Sequence, residues 1–175
     1  MPNKPYRAAI ITASDKGSRG EREDASGKLV KEIAEAAGYV VASCAILPDE
    51  QPLLEKELRR LCDEGLADLV LTTGGTGFSP RDRTPEATIA VAERLAPGIP
   101  EAMRMQSMGT TKRAMLSRSV AGIRKKTLII NLPGSPKAVK ENLEFIISEL
   151  KHGLDILTGN EGECGSLSTK HELFV

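Results

Sequence analysis

Short apolar runs alternate with amphipathic stretches along most of this chain, and that alternation predicts a fold. Residues Arg7 to Ala13 (R-A-A-I-I-T-A) have the length and character of a buried strand, closed by the polar loop Ser14-Asp15-Lys16-Gly17. From Asp24 to Gly38, the residues Leu29, Val30, Ile33, Ala34 and Ala37 recur at helical spacing, and Gly38 suits a C-terminal stop. Tyr39 to Leu47 is a second apolar run, ended by Pro48-Asp49. Leu54, Leu58, Leu61 and Cys62 then mark a helix ending near Gly65. Asp68 to Thr72 predicts a third strand, which runs into Thr73-Gly74-Gly75-Thr76-Gly77. Thr84 as N-cap and Pro85 in the first turn open a helix expected to reach about Leu95. Ile99 to Gly109 predicts another helix, and Met115 to Ile123 and Thr127 to Leu132 predict two strands. Ser135-Pro136 opens a last helix, with Val139, Leu143, Ile146, Ile147 and Leu150 on one face.

Strands alternating with helices in this way predict an α/β protein with three α/β/α layers: a mostly parallel sheet, helices on both faces. No linker or repeat interrupts the pattern. The expectation is one domain over residues 1–158 and a C-terminal tail over 159–175, with no fused second domain.

Composition removes several function classes. The chain carries 24 basic and 24 acidic residues, and only 3% of it is aromatic. A neutral chain with so few rings is neither a basic nucleic-acid binder nor a base-stacking platform. Cys44, Cys62 and Cys164 form no C-x-x-C pair, which argues against a zinc ribbon and a disulfide scaffold. Cys44 and Cys62 fall on apolar patterns and are expected to be buried and inert. His152 and His171 offer no catalytic constellation, and Met103, Met105 and Met108 read as packing residues. Neither a secretory leader nor a bilayer-spanning run is evident, so a soluble cytoplasmic protein without membrane partners is expected. The neutral sum hides a segregation: from Ala102 to Lys140 there are nine basic residues and no acidic one. That stretch reads as a solvated hairpin, a subunit contact, or a rim that attracts a polyanion.

In open α/β sheets ligands bind beyond the carboxyl ends of the strands. Four strands here end in unusual loops, at Ser14-Asp15, Pro48-Asp49, the glycine loop from Thr73 to Gly77, and Asn131-Leu132-Pro133-Gly134. If parallel, they gather on one rim. The glycine loop is either a tight turn or a phosphate cradle whose backbone N–H groups approach an anion closely. It matches neither a Walker A loop nor the Rossmann fingerprint. Asp82 lies between Arg81 and Arg83 with no evident structural duty if Thr84 is the helix cap. Asp49 reads either as a cap of the next helix or as a ligand, and Asp15 either as a turn residue or as a third carboxylate. Two carboxylates beside a phosphate loop suit a magnesium-nucleotide site.

The segments T-T-G-G-T-G-F-S-P-R-D-R-T-P-E-A-T (Thr72 to Thr88), I-L-P-D-E (Ile46 to Glu50) and I-I-N-L-P-G-S-P-K-A (Ile129 to Ala138) resemble the MogA/MoaB family of molybdenum-cofactor biosynthesis, which includes the G domain of gephyrin. M-L-S-R-S-V-A-G-I-R-K-K (Met115 to Lys126) is similar to it as well, and the likeness spans Arg7 to about Leu157. The resemblance implies a molybdopterin adenylyltransferase, which moves AMP from Mg2+-bound ATP to the molybdopterin phosphate and releases pyrophosphate. It implies Asp49 and Asp82 as catalytic and magnesium-holding residues. Gly74, Gly75, Thr76, Gly77, Asn131, Pro133, Gly134 and Ser135 would bind nucleotide, and Ser107 and Asp15 molybdopterin. It further implies a homotrimer or hexamer and a molybdenum insertase as partner. Competing readings are a non-catalytic paralogue that binds the pterin or nucleotide, and a gephyrin-like scaffold.

Overall fold

A computed structural model describes residues 4–160; residues 161–175, with Cys164 and His171 and almost all of the expected tail, lie outside the described residues. The chain runs β1 (Arg7–Ala13), α1 (Asp15–Ser18), α2 (Ala25–Ala36), β2 (Val40–Leu47), α3 (Gln51–Asp63) and β3 (Leu69–Thr73). It continues with α4 (Thr84–Val91), β4 (Arg94–Leu95), α5 (Gly98–Met108), a 3-10 turn (Lys112–Leu116), β5 (Ala121–Arg124), β6 (Thr127–Leu132) and α6 (Pro136–Thr158). The six strands form one sheet in the order β2-β1-β3-β6-β5-β4. The first four of these are mutually parallel, so their carboxyl ends share one rim. β5 and β4 add to the β6 side in antiparallel fashion.

Alternation along the central strands divides the core into two faces. Ala8 and Ile10 of β1, with Leu71 and Ile130, pack beneath Val30 and Ala34 of α2, Met103 of α5 and Leu143 and Ile147 of α6. Ala9 and Ile11, with Val70 and Ile129, pack beneath Leu54, Leu58 and Leu61 of α3 and Ala87 and Val91 of α4. The predicted three-layer arrangement is therefore the observed one. At the opposite end of the sheet from the rim, the Tyr6 hydroxyl donates to Asp155 Oδ1 at 2.6 Å and accepts from Asn160 Nδ2 at 3.1 Å. Gly159, at φ 77°, closes α6 there in the left-handed conformation.

Four expectations are corrected. α4 stops at Val91, because Ala92 turns extended (ψ 136°) and delivers Arg94–Leu95 to the sheet edge. Met115 to Val120 is not strand: Thr111 caps a 3-10 turn there, and Met115 and Leu116 are exposed instead of packed. Cys44 is exposed, because β2 is an edge strand whose burial alternates along its length. Cys62 is buried, and desolvation pushes its thiol up to about 11. Met103 fills the core as expected, whereas Met105 and Met108 face outward.

Candidate active site

The four loops do meet. A cavity of about 580 Å³ is lined by Thr12, Ala13 and Ser14 from the end of β1, Asp49 beyond β2, Thr73, Gly74 and Gly75 beyond β3, and Gly134 and Ser135 beyond β6. Asp82, Arg22 and the first turn of α2 complete it. A second cavity of about 290 Å³ takes Thr76 and Gly77 from the glycine loop and Pro133 from the β6 loop. Its other walls come from α5, the 3-10 turn and the first turns of α6, and include Ser107, Arg113, Glu141 and Asn142. The glycine loop and the β6 loop thus form the partition between the two cavities.

Two glycines are required in that partition. Gly74 and Gly75 have φ 92° and 66°, where a side chain is strained. A Cβ at Gly74 would lie 2.4 Å from the Ala13 carbonyl oxygen, and one at Gly134 would lie 3.2 Å from Gly74 Cα. The two loops therefore touch backbone to backbone.

Asp49 is not a helix cap: the N-cap of α3 is Glu50, which makes no side-chain capping bond. Its carboxylate turns to the rim, where Oδ2 accepts the Asp15 N–H at 2.9 Å while Asp15 Oδ1 accepts the Asp49 N–H at 3.1 Å. Asp15 also accepts a bidentate pair from Arg81, Nε at 3.0 Å and Nη2 at 2.8 Å. One side chain thus ties the loops after β1 and β2 to the segment that carries Asp82. The Arg81 guanidinium holds the Asp15 carboxyl below its usual range. Burial raises that of Asp49, with the charges of Asp15 and Asp82 adding to the effect. Asp15 lines neither cavity; it holds Asp49 and Arg81.

Asp82 has the local duty that sequence reasoning denied it. Its Oδ2 accepts the Ser79 N–H at 2.9 Å, and a Cβ at Gly77 would lie 2.9 Å from the same oxygen. Thr84 is the first residue of α4 and does not cap it, since the N-cap position belongs to Arg83. The Thr84 Oγ1 is buried, has no hydrogen-bond partner among the described residues, and lies 2.3 Å from where a Gly75 Cβ would stand. The basic stretch contributes directly here, so the solvated-hairpin reading does not hold for all of it. Arg118 donates to the carbonyls of Gly77 and Asp82, each at 2.7 Å, and pairs with Glu86. Arg104 holds the carbonyls of Ser117 and Ser119 on the wall of the smaller cavity.

Of the expected nucleotide ligands, Gly74, Gly75, Gly134 and Ser135 line the larger cavity, and Thr76, Gly77 and Pro133 the smaller. Ser135 Oγ already caps α6 through the Ala138 N–H. Asn131 reaches neither cavity. It is fully buried, its Nδ2 donating to Thr72 and Thr88 hydroxyls at 3.0 and 2.8 Å and its Oδ1 accepting the Val120 N–H at 3.2 Å. Ser107 lines the smaller cavity and donates to Asn142 Oδ1 at 3.2 Å. Arg22, Asp24, Arg113 and Glu141 were not singled out from sequence. Arg22 and Asp24 stand in a polar loop, and Glu141 on a helix face, with no local pattern to distinguish them.

Residues 9–152 match the family described as "Probable molybdopterin binding domain". A curated molybdopterin adenylyltransferase of Helicobacter pylori (strain J99) is 45% identical over 155 residues, 86% of this chain and 87% of that protein. Its Escherichia coli (strain K12) counterpart is 44% identical over 142 residues, 80% and 73% of the two chains. The crystal structure of the molybdopterin biosynthesis enzyme MoaB from Thermus thermophilus superposes with a TM-score of 0.83 at 47% identity, covering 88% of this chain and 97% of that one. With three motifs in order on this sheet and matches over most of its length, the chain belongs to the MogA/MoaB family of molybdenum-cofactor biosynthesis, the molybdopterin-binding domain family.

Proposed function

We propose that this protein is a molybdopterin adenylyltransferase, transferring AMP from ATP to the phosphate of molybdopterin. The observation that carries this reading is the side-chain-poor glycine partition, with one cavity on each side and Asp49 and Asp82 at its edge. The larger, more polar cavity suits the nucleotide. The first turns of α2 and α6 open into it, and the positive end of a helix dipole favours phosphate, although Asp24 and Ser135 already cap one N–H each there. The smaller cavity, with Met103, Leu116 and Pro133 among its walls, suits a flat heterocycle.

In this reaction an oxygen of the molybdopterin phosphate attacks the α-phosphorus of ATP. A new P–O–P bond forms, the bond to the β-phosphate breaks, and pyrophosphate leaves with the bonding electrons. The nucleophile is already an anion, so no general base is needed. Backbone N–H groups of the glycine loop are suited to receive the charge that moves onto the leaving group.

Magnesium fits the donors present. It takes one or two carboxylates and completes its shell with phosphate oxygens and water. Asp49 and Asp82 would hold it, and the cation would favour the charged form of the Asp49 carboxyl, which burial and, to a smaller extent, the neighbouring carboxylates disfavour. Bound there, it would neutralise charge on the phosphates. A homotrimer or hexamer and delivery to an insertase belong to the same reading, supported by exposed Ile89, Leu95 and Met115.

Purified protein given ATP, magnesium and molybdopterin is expected to release pyrophosphate and form adenylyl-molybdopterin in equal amounts. Binding of both substrates with no product would leave the non-catalytic paralogue standing and overturn this reading.

A further inference from the structure

The charges around the smaller cavity are unequally committed. Arg104 is held by two carbonyls, and Asn142 is buried, accepting from Ser107 and donating to the Ala138 carbonyl at 2.8 Å. Glu141 is the only carboxylate on the lining among the described residues. Its side chain is one-third exposed (34%), and it pairs with Lys137 at 3.9 Å, a side chain 80% exposed. An ion pair that long and that exposed contributes little and leaves both carboxylate oxygens available. Ser107 lines the cavity and spends its proton on Asn142, so it is left to act as an acceptor. α6 and α5 together therefore present hydrogen-bond acceptors beside an apolar slot.

The 2-amino-4-oxopyrimidine edge of a pterin carries the complementary pattern. Its N3–H and one N–H of its 2-amino group lie parallel on one side, as in the fork of a guanidinium that grips a carboxylate through two bonds. We propose that Glu141 is the specificity-determining residue of the smaller cavity, accepting the N3–H and 2-amino N–H of the pterin. This rests on the molybdopterin reading of that cavity. It adds the recognised edge of the substrate and the side chain that reads it.

The test compares a simple pterin with lumazine, in which an oxo group replaces the 2-amino group. Fluorescence titration of the intact wild-type protein is expected to favour pterin over lumazine by about tenfold or more, the worth of a hydrogen bond to a charged group. Glu141→Ala should abolish the preference, and Glu141→Gln should weaken it, because one of its two positions becomes a donor. With molybdopterin as substrate, Glu141→Ala should raise KM for the pterin about tenfold while KM for ATP and the melting temperature stay unchanged. A preference that survives Glu141→Ala overturns the proposal, as does equal or absent binding of the two rings by wild type. AMP transfer measured on the same preparation keeps the two readings apart: wild type that transfers AMP but shows no Glu141-dependent preference loses only this inference. Wild type that prefers pterin through Glu141 without transferring AMP loses only the enzyme reading.

Discussion

Asn131→Ala separates a structural role from a substrate contact at a position where motif and geometry point different ways. Its amide joins three elements: β3 through Thr72, its register neighbour, α4 through Thr88, and the segment entering β5 through the Val120 N–H. Truncation deletes all three bonds inside a site with no exposure. Both threonine hydroxyls lose the amide donor they accept from, and the Val120 N–H loses its side-chain acceptor. An orphaned buried polar group costs about 1–3 kcal/mol, and the emptied amide volume adds about 1 kcal/mol. The total is about 2–4 kcal/mol. At roughly 2–4 °C per kcal/mol for a chain of this size, the melting temperature should fall by about 4–16 °C. Calorimetry reads that directly. Pyrophosphate release assayed well below the transition should give a KM for ATP within about twofold of wild type, because the side chain does not line the cavity. A melting temperature unchanged alongside a KM for ATP raised tenfold would refute the reasoning and make Asn131 a nucleotide ligand.

Asp82→Asn keeps an oxygen for the Ser79 N–H, so the protein should fold normally while turnover falls about 10²–10³-fold, read by pyrophosphate release. Asp49→Asn should lose turnover similarly without lowering the melting temperature at neutral pH, since Asp49 is not the α3 cap. The sign follows from its raised carboxyl: such a group stabilises the fold fully below its unfolded pKa of about 3.9 and loses that contribution as pH rises through the folded value. Melting curves from pH 3 to 8 should therefore converge for the two proteins at the acid end, with the variant equal or higher at the neutral end. A lower melting temperature for the variant at neutral pH would contradict this. Gly77→Ala should reduce turnover with little loss of stability, because its methyl meets only the Asp82 carboxylate. Gly74→Ala should destabilise the fold, because its methyl meets Ala13 backbone at a positive φ. Equal losses of stability in the two would show that the partition yields more readily than this geometry allows.

Much of this architecture was legible in the residues because local and global signals coincide. β1, β3 and β6 are near-continuous apolar runs, as strands covered on both faces must be. Gly, Pro or Asp follows each of the four parallel strands, so the rim and most of its loops could be read before any contact was known. The misreadings have a common cause. Leu116 is apolar for the sake of a cavity wall and Cys44 lies on an edge, so apolar patterning there does not mean burial. Asn131 sits inside a motif that otherwise faces the rim, yet alternation along β6 turns its side chain inward. Asp15 and Arg81 are 66 positions apart, and no spacing rule connects them. Glu141 looks like any helical glutamate until α5 closes over it.

The wall of the larger cavity is bare main chain where Gly74 meets Gly134, with no side chain between the two loops. That bareness restricts variation: a wall made of main chain has no side chain to exchange, so any change in what is accommodated falls to the outer walls. Helices α5 and α6 are where this scaffold is free to change the shape of the smaller cavity, while the screen of glycines between them and the larger cavity stays as it is.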